Sequence, residues 1–116
     1  MDCLFCKIAK KEIPSEVVFE DDKVFAFKDI HPLAPVHILI IPKKHIESID
    51  NLTEADEGLI GHLILTAQKI SRDLKISQEG YKLLFRVGRN GGQEVEHIHL
   101  HLIGGAELFE KIGVKK

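Results

Sequence analysis

The chain has 116 residues, of which 44% are hydrophobic and 29% charged, with a formal net charge of −2. This composition supports one modest core and excludes a disordered chain. It offers no basic footprint for long DNA or RNA, and no apolar run approaches the ~20 residues that cross a bilayer.

Residues 1–116 read as a single domain, free of repeats, low-complexity tracts and linkers. The opening Met1-Asp2-Cys3-Leu4-Phe5-Cys6-Lys7 lacks the charged, apolar and small-residue order of a signal peptide, so a cytoplasmic location is expected. Cys3 and Cys6 are the only cysteines, and in a reducing compartment Cys-x-x-Cys reads as metal or redox chemistry before a structural disulfide. Residues 5–9 can form a helical turn before the Glu12-Ile13-Pro14 break. Val17-Val18-Phe19-Glu20 and Val24-Phe25-Ala26-Phe27 read as strands joined by the charged turn Asp21-Asp22-Lys23. His31-Pro32-Leu33-Ala34-Pro35 is a loop, since proline cannot supply ladder donors. Residues 37–41 form a β-rich apolar run that Pro42 ends.

A helix is expected from Thr53, whose hydroxyl can cap it, with acidic Glu54, Asp56 and Glu57 favouring the dipole in the first turn. Leu59, Ile60, Leu63, Ile64, Ala67, Ile70 and Leu74 recur at three- and four-residue steps and predict one buried stripe. His62 falls off that stripe and reads as a surface residue. A strand over residues 81–87, the turn Gly88-Arg89-Asn90-Gly91-Gly92 and a strand over residues 97–103 complete the pattern. Strands with short links and one long helix predict an α+β fold with an antiparallel sheet. The tail, residues 106–116, fits either a short helix or a partner-binding arm.

The last strand carries the chemistry. In His97-Ile98-His99-Leu100-His101-Leu102-Ile103, alternate side chains face opposite sides, so the histidines share one surface and the aliphatic residues the other. Neighbouring Cα atoms on the histidine side lie roughly 7 Å apart and the outer pair roughly 13 Å. That span cannot close three imidazoles around one metal whose bonds are about 2.0–2.1 Å, so the rings divide between tasks. A His-x-His pair with a third ligand can still hold a catalytic ion.

His-φ-His-φ-His-φ-φ, with φ apolar, resembles the signature of the histidine triad (HIT) family. Phe5-Cys6-Lys7-Ile8, Glu12-Ile13-Pro14, Phe19-Glu20-Asp21-Asp22, Ala26-Phe27-Lys28-Asp29-Ile30, Ala34-Pro35-Val36-His37, Ile41-Pro42-Lys43-Lys44-His45-Ile46 and Gly91-Gly92-Gln93-Glu94-Val95-Glu96-His97 resemble its Hint branch in the same order. The likeness covers residues 3–105. It implies a five-stranded antiparallel sheet with one long and one short helix, pairing into a homodimer through helix and strand edges. It also implies a purine nucleotide-binding hydrolase that cleaves nucleoside phosphoramidates or acyl and aminoacyl adenylates at the α-phosphate. The reaction would pass through a nucleotidyl-histidine intermediate and release AMP or GMP, without an organic cofactor. The alternatives are a dinucleoside polyphosphate hydrolase, as in the fragile-histidine branch, and a non-catalytic nucleotide-binding module.

By position in the family, His99 is the nucleophile and His101 its catalytic neighbour, with His37 supporting them. A covalent step splits one hard displacement into two easier ones, and the ring nitrogen that does not attack needs an acceptor such as a backbone carbonyl. Asp29 matches the carboxylate that accepts from both ribose hydroxyls, and Phe5, Ile8, Phe27 and Ile30 match the walls around the base, though each also fits a core. Gly92, Gln93, Glu94 and Val95 match the phosphate-binding stretch; Asn90-Gly91 equally fits a plain hairpin turn. Some HIT members bind structural zinc through such a cysteine pair with two histidines, here Cys3, Cys6, His45 and His97. Two positions depart from the pattern. Arg86, counted with the nucleotide-binding residues, stands where the Hint branch has Asn; being longer, cationic and without an acceptor, it either grips phosphate directly or points elsewhere. Glu94 stands where that branch often has Ser, so at Glu94 only the backbone amide suits an anion.

Overall fold

A computed structural model describes residues 2–116. Its elements are α1 (Leu4–Ala9), β1 (Val17–Glu20), β2 (Val24–Lys28), β3 (Val36–Pro42), α2 (Glu57–Asp73), β4 (Tyr81–Leu84) and β5 (Leu100–Gly104). The five strands form one antiparallel sheet in the order β1-β2-β3-β5-β4. The α+β expectation, with one long and one short helix, holds.

Strand alternation gives the sheet two apolar faces. Val24, Ala26, Ile38, Ile40, Leu100 and Leu102 join Ile98 and the α2 residues Leu63, Ala67 and Ile70 in the larger core. Phe25, Phe27, Leu39 and Ile41 face the other way, where Cys3, Phe5 and Ile8 of the N-terminal segment cover them. The histidines lie on this second side, where Phe5 of α1 meets the rings of His97 and His99 edge-on.

Helix α2 starts later than its cap residue implies. A 3₁₀ turn, Glu54–Asp56, precedes it. Thr53 and Asp56 form a capping box: the Thr53 side chain accepts from the Asp56 N–H, and the Asp56 carboxylate accepts from the Thr53 N–H at 3.0 Å. Within the stripe, Ile64 and Leu74 are exposed: Ile64 sits one step round from buried Leu63, and Leu74 lies past the last helical residue. His62 is tied down, its Nε2 lying 2.6 Å from the Asp21 carboxylate. That carboxylate also accepts from the N–H groups of Lys23 and Val24, so the same aspartate closes the β1–β2 turn and anchors it to the helix.

The expected hairpin at residues 81–103 needs correction. Leu84 and His101 are the last β4–β5 partners, and β5 begins only at Leu100. Upstream of it the chain turns to the other side, where the Ile98 N–H donates to the Ile46 carbonyl at 2.8 Å. Gln93 fixes this path. Its carbonyl accepts from the Gly88 N–H at 2.9 Å, and its amide donates to the carbonyls of Glu47 at 2.6 Å and Val95 at 3.0 Å. The glycines of the turn serve the turn itself. A Cβ on Gly91 would stand 2.3 Å from the Val87 carbonyl oxygen, and Gly92 has φ +79°.

Candidate active site and metal centre

The three histidines divide between tasks although only His101 lies within regular strand. His97 turns toward the N-terminus. Its Nδ1 lies 3.3 Å from Cys3 Sγ, 3.6 Å from Cys6 Sγ and 3.2 Å from His45 Nδ1, with Cys6 Sγ to His45 Nδ1 at 3.4 Å. All four ligand atoms lie within 4.8 Å of one another. Zinc bonds of about 2.3 Å to sulfur and 2.0–2.1 Å to nitrogen define a tetrahedron with S–N edges of about 3.6 Å and an N–N edge of about 3.3 Å. The observed separations match those edges. The His97 Nε2–H donates to the Pro42 carbonyl at 2.8 Å, which leaves Nδ1 as the ligating nitrogen. The Cys6 N–H points at Cys3 Sγ, 3.4 Å away. An open cleft lined by Asp2, Glu47, Glu94 and Glu96 adjoins the cluster. This donor set fits a metal ion of zinc's coordination chemistry.

His99 belongs to a different environment. Its Nδ1–H donates to the His97 carbonyl at 2.7 Å, the backbone acceptor expected for the ring. That bond selects the tautomer with a bare Nε2. Phe5 meets the ring edge-on with centroids 5.0 Å apart, so the α1 residue expected at a base wall buttresses the imidazole. Burial holds the His99 pKa below the usual histidine range, against the opposing pull of the His97 carbonyl, and Arg86 lowers it further. The lowered pKa favours the neutral ring near pH 7.

His101 neighbours His99 with centroids 5.0 Å apart. Its Nδ1 lies 2.9 Å from His37 Nε2, and its Nε2 lies 3.0 Å from Arg86 Nη1. Desolvation, then His99, Arg86 and His37, push its pKa down to about 3. His37 and His101 are diagonal neighbours across β3 and β5, where Leu39 pairs with His101. The Leu33 N–H donates to His37 Nδ1 at 3.1 Å, and Asp29 Oδ2 lies 3.4 Å from His37 Nε2. Asp29, His37 and His101 therefore form a second close group. The other Asp29 oxygen accepts from the N–H of exposed His31 at 2.8 Å.

The remaining sequence-predicted residues fall unevenly. Phe5, Ile8 and Phe27 are buried in the smaller core, whereas Ile30 is 84% exposed and packs in neither core. Gln93 is committed by its side chain to the turn, as described. Glu94 is exposed near His99, and Val95 packs against the Phe5 cluster. Arg86 reaches His101 with its side chain lying over Gly92. Sequence reasoning missed the carbonyl of Pro42 and the N–H of Leu33, which orient His97 and His37. Such backbone partners carry no residue-type signal.

The order of strands, the divided histidines and the glycine turn define a HIT domain, and the model of that domain matches residues 10–108. The chain belongs to this family. It is 46% identical over 107 residues to purine nucleoside phosphoramidase of Escherichia coli K12, covering 92% of this chain and 90% of that protein. A HIT family hydrolase from Legionella pneumophila is 51% identical with a TM-score of 0.92, covering 93% of this chain and 96% of that one. A histidine triad protein from Clostridium difficile is 42% identical with a TM-score of 0.94, covering 97% of both chains.

Proposed function

We propose that the protein is a purine nucleotide-binding hydrolase that cleaves nucleoside phosphoramidates or acyl and aminoacyl adenylates at the α-phosphate. Its likeness to the E. coli phosphoramidase supports the substrate class. The observation that carries the mechanism is the 2.7 Å bond from His99 Nδ1–H to the His97 carbonyl, which presents a neutral Nε2 lone pair. That nitrogen attacks phosphorus as the bond to the leaving group breaks, the departing amine taking up a proton. Water then cleaves the bond between phosphorus and His99 Nε2 to release the nucleoside monophosphate and restore the free ring. His101 offers an N–H to the phosphoryl group as charge develops there. The N–H groups of Gly92 and Gln93 are taken by the carbonyls of Arg89 and Gly88. The backbone amides of Glu94 and Val95 are left to meet the phosphate. Asp29 accepts from the ribose hydroxyls, while Phe5, Ile8, Phe27 and Ile30 border the base.

Structural zinc is bound by Cys3, Cys6, His45 and His97, where it ties the N-terminal segment to the ends of β3 and the histidine stretch. When bound, the ion would supply a rigid cross-link and take no part in the displacement. Reduced thiols at this site suit the cytoplasm. Among the described residues, no helix is long and apolar enough to cross a membrane.

The chain acts as a homodimer. Edge strand β4 and the exposed Ile64 and Leu65 of α2 supply the pairing surface, with Leu65 61% exposed. Light scattering tests this: Leu65→Glu yields a monomer where the wild type is a dimer, and a monomeric wild type refutes it.

The covalent step is tested by mixing the protein with adenosine phosphoramidate, quenching rapidly at a pH that preserves P–N bonds, and analysing peptides by mass spectrometry. AMP attached at His99 is the expected result. Turnover without any such adduct, and undiminished in His99→Ala, overturns the mechanism.

A further inference from the structure

Four N–H protons meet at three contacts along the line from Leu33 to Arg86. The contacts are Leu33 N to His37 Nδ1 at 3.1 Å, His37 Nε2 to His101 Nδ1 at 2.9 Å, and His101 Nε2 to Arg86 Nη1 at 3.0 Å. Leu33 brings one proton, each neutral imidazole brings one, and the guanidinium brings another. A hydrogen bond uses one proton, so whichever tautomers are chosen, one contact places two donors head to head. Turning the His37 proton toward Asp29 Oδ2, 3.4 Å away, does not relieve this, because His37 Nε2 then still lacks a lone pair for His101. Protonating either ring adds to the surplus.

One change removes the conflict: an atom that only accepts, placed between His101 Nε2–H and Arg86. The Arg86 end is where the line can open. His37 and His101 are buried and held between strands, whereas Arg86 is half-buried, with its stem lying over Gly92. An amide side chain at this position would offer His101 its carbonyl, but a guanidinium has no acceptor, so the conflict is specific to arginine.

We propose that Arg86 and His101 form a two-donor clamp on one phosphoryl oxygen, making Arg86 the residue that selects charged 5′-phosphates over uncharged nucleosides. The inference rests on the nucleotide reading above. When the oxygen enters, it accepts from the Arg86 guanidinium and from His101 Nε2–H. His37 donates to His101 Nδ1, and each of the four protons then has its own acceptor. Leu33 thereby sets the tautomer of the ring two steps away.

Calorimetric titration of AMP, adenosine and inorganic phosphate into wild type, Arg86→Gln and Arg86→Lys tests this, with circular dichroism confirming that each variant folds. Arg86→Gln weakens AMP binding by about tenfold to a hundredfold, the scale of one charge-assisted hydrogen bond, and leaves adenosine binding unchanged. Arg86→Lys recovers part of the loss. Nitrogen-15 spectra of the histidines place the His101 proton on Nε2 in the AMP complex. Unchanged AMP affinity in Arg86→Gln, an equal loss for AMP and adenosine, or a His101 proton on Nδ1 in the complex each overturns the clamp. Tight AMP binding by the wild type with any of those results removes the clamp alone. A wild type that binds neither AMP nor phosphate removes the nucleotide reading with it.

Discussion

Among single residues, the contrast between His99 and His101 is the most informative. Both are buried imidazoles on one side of one segment, yet their ring nitrogens face different partners. His99 meets a backbone carbonyl, which fixes its proton on Nδ1; His101 meets another imidazole and a guanidinium. The first arrangement suits the proposed nucleophile and the second the proposed donor. Replacing His99 separates binding from chemistry. His99→Asn keeps an N–H able to reach the His97 carbonyl but has no basic nitrogen to attack with, so kcat falls on the order of 10³-fold or more while AMP affinity stays close to wild type. Steady-state kinetics beside direct AMP titration checks this. A variant that retains a tenth of wild-type turnover contradicts the assigned role.

At the scale of elements, the sequence reveals periodicity well and the partners of irregular backbone poorly. Strands β2 and β3 were legible as short β-rich apolar runs, β5 by its alternation, and helix α2 by apolar residues at steps of three and four. The extent of β4 and β5 was not. Gly88 to Gly92 looked like a hairpin turn, but the side-chain amide of Gln93 and the Ile46 carbonyl draw the chain away from β4 before it joins the sheet. Nothing in the local composition encodes a bond to a residue more than 40 positions away. The site was legible for the opposite reason: alternate histidines and a Cys-x-x-Cys pair carry chemistry in their residue types.

The cysteine cluster joins three segments distant in sequence, so the proposed zinc would act in element docking. Helix α1 has only six residues, too few to hold together alone. With zinc bound, Cys3 and Cys6 would anchor its cover over Phe25 and Phe27. Protein purified with metal present carries about one zinc per chain by elemental analysis. Cys3→Ser and Cys6→Ser lose the metal and melt at lower temperature. A chelator lowers the melting temperature without stopping turnover at once, because the displacement uses His99 and not the ion. Metal-replete protein without zinc refutes the assignment, and immediate loss of turnover on chelation transfers the ion to the reaction.

For the whole molecule, the buried histidines couple stability to acidity in one direction. His37, His97, His99 and His101 all have pKa values lowered in the fold, chiefly by burial. In the unfolded chain each returns to about 6.5. Between 6.5 and the lowered folded value, the unfolded chain binds a proton that the folded one refuses, so acid favours unfolding. For His101 that window runs from about 6.5 down to about 3. Each such group removes up to about 1.4 kcal/mol of stability per pH unit inside its window and nothing above it. Carboxylates, with ordinary values near 4, enter only lower. Urea unfolding followed at pH 8, 7, 6 and 5 therefore reports the imidazoles: the midpoint holds between 8 and 7 and then falls steadily to 5. His101→Gln removes one titrating ring, so its slope below pH 6 is shallower than that of the wild type. A wild-type midpoint that does not move between pH 7 and 5 means that these rings accept protons inside the fold, and a His99 that is charged in this range cannot attack phosphorus.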